Sequence, residues 1–107
     1  MNKTFTRILE LLKTDQVKIS SHGYDELAED GILVKDVLAN IQDAKILEDY
    51  PDYSKGPCVL VLQKDLNGKP IHVVWGISKG TEFPAVLVTA YRPDPQYWSN
   101  DLTRRKK

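Results

Sequence analysis

The chain contains two histidines, and the first has an acidic neighbour at helical spacing. His22 lies at the predicted start of a helix, and Glu26, four residues later, falls on the same helical face. An imidazole and a carboxylate on one polar face can act as an acid–base pair. The alternative is that His22 only hydrogen-bonds the local backbone at the start of the helix.

The second histidine lies within a predicted strand. Alternation places His72, Val74 and Gly76 on one face, while the apolar residues that alternate with them between positions 71 and 77 form the core face. His72 is therefore predicted on an open face, where Gly76 leaves room for a ligand. The alternative is a half-buried histidine with a structural hydrogen bond.

The last predicted strand carries two hydroxyl groups and ends at an arginine. Thr89 and Tyr91 share one face, and Arg92 follows where the strand ends. A guanidinium group suits a phosphate, and Tyr91 can donate a proton or stack on a base. The alternative is ordinary edge polarity, with Tyr91 covering the core.

The elements that must position these residues follow from the hydrophobic pattern, which changes from helical to alternating spacing near residue 43. Helices are predicted over residues 3–13, from Ser20 or Ser21 to Gly31, and around residues 34–41, with residues 17–20 as an extended connector. Strands are predicted over Ala44–Tyr50, Cys58–Gln63, Ile71–Ile77 and Ala85–Tyr91, with a hairpin turn at Asn67-Gly68. A short C-terminal helix is predicted from Asp94-Pro95.

These elements predict a single α+β domain over residues 1–107. Its N-terminal helices pack on one face of a four-stranded antiparallel meander sheet, and a short C-terminal helix follows the last strand. Within the second helix, Tyr24, Leu27 and Ala28 are predicted to face the core. Tyr97 and Trp98 are interpreted as aromatics that dock the C-terminal helix.

Composition limits the function classes. A chain of 107 residues and 12.2 kDa fills one core. It has no apolar run long enough for a membrane span and no signal-peptide pattern, and its single cysteine fits a reducing, cytoplasmic compartment. Two histidines and one cysteine cannot assemble a closed four-ligand zinc site, and glycine-rich phosphate loops are absent, so neither a metal nor a cofactor is expected.

The formal net charge of zero hides a segregation along the chain. Residues 25–52 contain nine acidic and two basic residues, a net charge of −7, while the remainder carries +7 and ends in Arg104–Lys107. Because a local basic surface attracts phosphate, the neutral total does not exclude a polyanion. A phosphate backbone is predicted along the sheet end at Tyr91 and Arg92, with residues 103–107 as a mobile electrostatic clamp. The alternative is a solvated acidic helix surface and a frayed tail.

The segment Ile19–Ile32, ISSHGYDELAEDGI, followed by Asp36-Val37, resembles the opening signature of the family called domain of unknown function 4258. Glu48–Pro51, His72–Val74 and Thr89–Pro93 with Trp98 are similar to its later segments, so the resemblance spans residues 17–98. It implies the fold of the RelE- and BrnT-like toxins, small α+β ribonucleases of toxin–antitoxin systems that need no metal. Two arginines of the family pattern are replaced here by Glu26 and Asp30, and an alanine by Gly23. The acidic replacements would repel RNA.

The resemblance implies RNA cleavage in which a base takes the ribose 2′-hydroxyl proton, the 2′-oxygen attacks phosphorus, and an acid protonates the leaving 5′-oxygen. The predicted catalytic residues are His22, His72, Glu26 and Tyr91, and the predicted phosphate-binding residues are Thr89 and Arg92. The partners expected are RNA, free or on the ribosome, and an antitoxin or other protein; no membrane is expected. The alternative is a catalytically inactive binding module whose acidic helix receives a basic protein partner.

Overall fold

The computed structural model describes residues 2–106, which form three helices and a five-stranded sheet. In chain order these are helix α1 (Lys3–Lys13), strand β1 (Val17–Ile19), helices α2 (Ser21–Glu29) and α3 (Val34–Ala39), a 3₁₀ turn (Ile41–Asp43), and strands β2 (Lys45–Tyr50), β3 (Cys58–Lys64), β4 (Pro70–Ile77) and β5 (Ala85–Tyr91). The predicted α+β class is confirmed.

The sheet is mixed and has one strand more than predicted. Its strand order is β1-β5-β4-β3-β2, and β1 pairs with β5 in parallel while all other pairs are antiparallel. The predicted four-stranded antiparallel meander is therefore wrong at the edge of the sheet formed by β1. Residues 17–19, which were expected to form a connector, are a strand there. Ala85 N donates to Gln16 O, and Ser20 N donates to Leu87 O. Alternation cannot be recognised in a strand of three residues.

One face of the sheet packs against the helices and forms the core. Phe5 and Ile8 of α1 are buried as the spacing predicts, and the Asn2 side chain caps this helix by accepting from Phe5 N at 2.9 Å. The opposing strand residues are Val59, Val61, Val73, Trp75 and Leu87, all buried. Within residues 2–106, no helix has the length and apolar character needed to span a membrane.

Helix α2 buries a different face from the one predicted. Gly23 and Leu27 are buried, whereas Tyr24 is 58% exposed and Ala28 is also exposed. The predicted N-cap at Ser20 is confirmed, since its Oγ accepts from Gly23 N at 2.9 Å. A Cβ atom at position 23 would lie 2.8 Å from the carbonyl oxygen of Leu87. The helix thus approaches β5 so closely that glycine, rather than the tyrosine beside it, faces the sheet.

A β-bulge in β5 decides which side chains share a face. Trp75 pairs with Leu87 and Val74 pairs with Thr89, so Val88 is an extra residue on β5. Its carbonyl oxygen accepts a hydrogen bond from Ser20 Oγ at 2.8 Å. After the bulge, Ala90 is buried against the helices, while Thr89 and Tyr91 lie on the opposite face of the sheet.

The C-terminal segment, residues 94–106, crosses the sheet face opposite the helices, which is called the outer face below. The predicted C-terminal helix is wrong: Asp94 O accepts from Tyr97 N and Trp98 N, which makes a single turn. Trp98 then pairs with Arg105 in an antiparallel bridge, and Lys106 N donates to Tyr97 O. The chain turns back instead of continuing as a helix because this bridge takes up its backbone groups.

Residues 99–104 close the turn of the C-terminal segment. Ser99 N donates to Arg104 O, and the hydroxyls of Ser99 and Thr103 donate to the Asp101 carboxylate. These hydrogen bonds lower the pKa of Asp101 to about 2. The mobility predicted from residue 103 onward stays a prediction, and Lys107 lies outside the described residues.

Candidate active site

An open groove of about 510 Å³ lies on the outer face, and it is called the outer-face groove below. Its floor is one row of cross-strand neighbours, Leu60, Val74 and Thr89. Its walls are Glu48 and Tyr50 from β2, Tyr91 from β5, and Tyr97, Trp98 and Arg105 from the C-terminal segment. An apolar floor thus carries ionisable and hydroxyl groups at its rim.

Glu48 is the carboxylate of this groove, and two groups hold it in place. Arg105 Nε donates to Glu48 Oε2 at 2.9 Å and Arg105 Nη2 donates to Oε1 at 3.1 Å, in a bidentate pair. Tyr50 donates its hydroxyl to Oε1 at 2.6 Å. The hydrogen bond from Arg105 is the main cause that lowers the pKa of Glu48 below its ordinary value of 4.5. Glu48 is therefore ionised at neutral pH.

Arg105 is fixed in position and still open to solvent. Its guanidinium carbon lies 4.8 Å from the centroid of the Trp98 ring, and this indole is buried. The Arg105 side chain is nevertheless 62% exposed. Its hydrogen bonds to Glu48 raise its own pKa, so it is a permanent cation at the rim of the groove. A guanidinium group in this state can receive a phosphate.

His72 lies beneath the C-terminal segment with no exposed surface. Its Nε2 lies 2.8 Å from the carbonyl oxygen of Leu102, and its Nδ1 lies 3.2 Å from the hydroxyl oxygen of Tyr91. Because a carbonyl oxygen only accepts, Nε2 carries the proton, and in the neutral ring Nδ1 accepts from Tyr91. The ring also packs edge-on against Trp98, with centroids 4.3 Å apart. The prediction of an open position for His72 is wrong.

Burial shifts the pKa of both partners in this pair. It lowers the pKa of His72 below 6.5, against an opposing effect of the Leu102 carbonyl, and it raises the pKa of Tyr91 above 10.0. His72 is thus a neutral acceptor that orients Tyr91, and Tyr91 keeps its proton at neutral pH. Gly76 leaves no opening on this face either, since a Cβ there would lie 3.2 Å from the Cβ of Cys58.

His22 and Glu26 lie together on α2, as their spacing predicts. His22 Nε2 is 3.6 Å from Glu26 Oε1, and the His22 side chain is 65% exposed. Within residues 2–106, no hydrogen bond, ion pair or ring contact joins His22 to His72. The structure therefore keeps the two predicted proton-transfer histidines in separate surroundings.

Arg92 is engaged away from the groove. Its Nη1 forms an ion pair with the buried Asp65 carboxylate at 2.9 Å, and its backbone N–H donates to Asp30 Oδ2 at 2.8 Å. A hydrogen bond from the Lys69 backbone is the main cause that lowers the pKa of Asp65. Asp30, which stands where the family pattern has an arginine, thus anchors the end of β5. Of the predicted site residues, the structure brings His22 close to Glu26 and His72 close to Tyr91, and Thr89 lines the outer-face groove with Tyr91.

Sequence reasoning missed three residues of the groove, Glu48, Tyr50 and Tyr97, and it placed Arg105 only in a mobile electrostatic clamp. The sequence did contain a signal for Glu48 and Tyr50, because residues two apart on a strand share a face. Arg105 had none beyond its charge, since it is 57 residues from its partner Glu48. Tyr97 was interpreted as a docking aromatic, whereas it is 62% exposed; the buried Trp98 next to it does dock.

The family model described as Domain of unknown function (DUF4258) matches residues 19–92, and the chain belongs to this family. The match includes Glu48, Tyr50 and Tyr91, while the wall of the groove built by the C-terminal segment lies beyond it. No curated protein and no solved structure matches the chain. Among residues 2–106, no three side chains of His, Cys, Asp or Glu converge as ligands for a metal ion.

Proposed function

We propose that this protein is a metal-independent ribonuclease related to the RelE- and BrnT-like toxins, and that RNA is cleaved in the outer-face groove. The observation that carries the proposal is the placement of an exposed guanidinium group, an ionised carboxylate and a protonated tyrosine hydroxyl along one groove. Cleavage by 2′-hydroxyl attack needs a cation on the phosphate, a base and an acid. Arg105, Glu48 and Tyr91 supply these three groups.

In the proposed reaction, Arg105 binds a non-bridging oxygen of the scissile phosphate. Glu48 takes the proton of the 2′-hydroxyl, and the 2′-oxygen attacks the adjacent phosphorus. Tyr91 breaks the hydrogen bond that its hydroxyl donates to His72 Nδ1, turns its one proton toward the leaving 5′-oxygen and transfers it there. The products are a 2′,3′-cyclic phosphate end and a 5′-hydroxyl end, and the proton held by Glu48 returns to Tyr91 through solvent.

Substrate binding itself activates the base in this scheme. In the free protein, Arg105 is the main cause of the low pKa of Glu48. A phosphate that draws the guanidinium group to itself removes part of this hydrogen bonding, so the pKa of Glu48 rises toward its ordinary value. A stronger base therefore forms only when a phosphate is present. The earlier prediction that His22 and His72 transfer the protons stays a prediction, and this proposal does not use it.

The proposal includes a cytoplasmic location, RNA, free or ribosome-bound, as substrate, and an antitoxin as protein partner. A binding module without chemistry is the second candidate function. It is favoured by the exposed surface of α2, where Tyr24 lies beside the acidic residues Asp25 and Glu29. A basic protein partner would complement this surface.

Cleavage of end-labelled RNA in the presence of EDTA, with and without ribosomes, tests the proposal. We expect fragments that end in 2′,3′-cyclic phosphate. Arg105→Ala should reduce the cleavage rate roughly 100- to 1,000-fold, as for other groups that stabilise a transition-state charge. Arg104→Ala is the matched control, because it removes the adjacent exposed arginine and should leave the rate within about twofold.

Intact RNA at high protein concentration under both conditions would overturn the ribonuclease proposal. Equal rates for Arg105→Ala and Arg104→Ala would overturn the assignment of the outer-face groove. Arg105→Ala should still fold, since an exposed ion pair contributes about 1 kcal/mol or less to stability. Circular dichroism of both variants verifies this.

A further inference from the structure

Two exposed tyrosines line the outer-face groove, one from β2 and one from the C-terminal segment. Tyr50, on β2, is 44% exposed, and Tyr97, on the C-terminal segment, is 62% exposed. Both line the groove in which Arg105 presents its guanidinium group. The exposed ring faces beside a cation offer a surface on which a flat ligand can stack.

Each of these two tyrosines is held in a defined position. Tyr50 donates its hydroxyl to Glu48 at 2.6 Å, which fixes the direction of the ring. At Tyr97 the backbone N–H donates to Asp94 O, and the carbonyl oxygen accepts from Lys106 N, both at 2.9 Å. A ring on a fixed backbone loses little conformational freedom when a flat ligand stacks on it.

We propose that Tyr50 and Tyr97 are stacking sites for unpaired nucleobases on either side of the phosphate held by Arg105, so that the groove binds single-stranded RNA and discriminates against duplex. This inference rests on the proposed function and specifies its substrate class. Stacking on an aromatic side chain needs a base whose face is free, and a base in a duplex is already stacked and paired. A pyrimidine or purine face serves equally, so the site tolerates different sequences.

Charges of both signs surround the groove, whose own lining contains Glu48 and Arg105. Arg104 and Lys106 flank Arg105 in the chain, and Lys45 on β2 is close enough to Asp101 to help lower its pKa. The cation that lines the groove is Arg105, while the acidic residues Asp25 and Glu29 lie on α2, on the helix side of the sheet. A flexible backbone with free bases can place its phosphate at Arg105 and its bases on the two rings.

Fluorescence anisotropy with a 2′-O-methyl oligonucleotide tests the inference, because this probe lacks the attacking hydroxyl and cannot be cleaved. The probe is compared as a single strand and annealed to its complement. Tyr97→Leu should weaken single-strand binding roughly tenfold, since one base–aromatic stack is worth about 1–3 kcal/mol. Tyr97→Phe should keep the affinity, because the ring and not the hydroxyl makes the contact.

Tyr24→Leu is the matched control, because Tyr24 is 58% exposed but lies on α2 outside the groove. Equal affinities of Tyr97→Leu and Tyr24→Leu, or equal affinities for single strand and duplex, would overturn the stacking inference. An oligonucleotide with an abasic residue gives a second readout. It should bind the unaltered protein more weakly than the intact oligonucleotide does, and this difference should disappear in Tyr50→Leu or Tyr97→Leu. Failure of the cleavage reaction leaves these binding results unchanged, so the two proposals fail separately.

Discussion

The two histidines of this chain occupy opposite environments. His22 is largely exposed and has one loose neighbour, Glu26, at 3.6 Å. His72 has no exposed surface, and both of its ring nitrogens have partners. An acid–base catalyst needs both access to substrate and a partner that sets its protonation state. His22 thus combines access to solvent with a loosely placed carboxylate, whereas His72 combines two close partners with no access to solvent.

The groups around His72 do meet both requirements. Tyr91 lines the outer-face groove and is oriented by the buried imidazole, while Glu48 is held by Arg105 at the opposite wall. In the proposed reaction, the buried histidine therefore acts through Tyr91. Under the proposed function, the comparison teaches that a buried residue with two hydrogen-bond partners can position a site without touching substrate.

The largest expected effect concerns the cleavage rate and its pH dependence. Tyr91→Phe should lower the rate roughly 100- to 10,000-fold, the usual range for loss of a general acid, whereas His22→Ala should leave it within about twofold. The base is active above the pKa of Glu48, lowered from 4.5, and the acid below that of Tyr91, raised from 10.0. The profile should therefore be flat through neutral pH.

Measurement of kcat/KM from pH 5 to 9 decides between the two environments. A bell-shaped profile centred near the ordinary histidine pKa of about 6.5, abolished by His22→Ala, would transfer the chemistry to α2. Tyr91→Phe also removes the hydroxyl that donates to His72, so the unfolding transition of this variant must be recorded beside its rate.

The next effect is on stability. His72→Ala removes a fully buried ring and leaves the Leu102 carbonyl without its donor, so we expect a loss of about 3 kcal/mol in the free energy of unfolding. His22→Ala, on an exposed helix surface, should change it by about 0.5 kcal/mol or less. Urea unfolding measures both values. Equal losses in the two variants would mean that the C-terminal segment does not rest on His72.

The smallest effect is the pH dependence of stability. Burial lowers the pKa of His72 below its ordinary value of 6.5, so the unfolded chain binds more protons than the folded one. Stability should therefore be highest above pH 6.5 and should fall as the pH drops below that value. Glu48, whose pKa is lowered from 4.5, contributes a loss only at lower pH. Between pH 6.5 and pH 4.5, the change in stability therefore reports the titration of His72 rather than that of Glu48.

The urea midpoint recorded at pH 7 and pH 5 tests this dependence. The decrease should persist in His22→Asn, since that residue is largely exposed in the folded protein. Its disappearance in His22→Asn would show that the exposed histidine, and not the buried one, carries the proton uptake on unfolding.

Local signals in the sequence predicted much of the fold. The bounds of α1, the cap at Ser20 and the hairpin between β3 and β4 depend on neighbouring residues, and all three are confirmed. Asp65 shows why the hairpin is strongly specified, because its carboxylate accepts from the backbone N–H groups of Asn67 and Lys69 at 2.8 Å.

The elements that escaped prediction depend on distant partners. β1 is a strand because β5 lies beside it, and the C-terminal segment folds back because Leu102 and Trp98 meet His72. Most of the groove follows from these contacts, which local periodicity does not encode. The sequence predicted that Thr89 and Tyr91 share a face. Only the pairing of β5 with β4 shows that this is the outer face, on which His72 also lies, and not the core face of Leu87.

The extra residue at Val88 makes the length of β5 a diagnostic for relatives of this chain. A shift of one residue moves every later side chain of a strand to the other face. A family member with one residue fewer between Leu87 and Thr89 would turn its equivalent of Tyr91 toward the helices, even if the Thr-Ala-Tyr triplet were intact. Counting residues from the buried leucine to the tyrosine, instead of matching the triplet, therefore distinguishes relatives that keep the groove from those that only keep the motif.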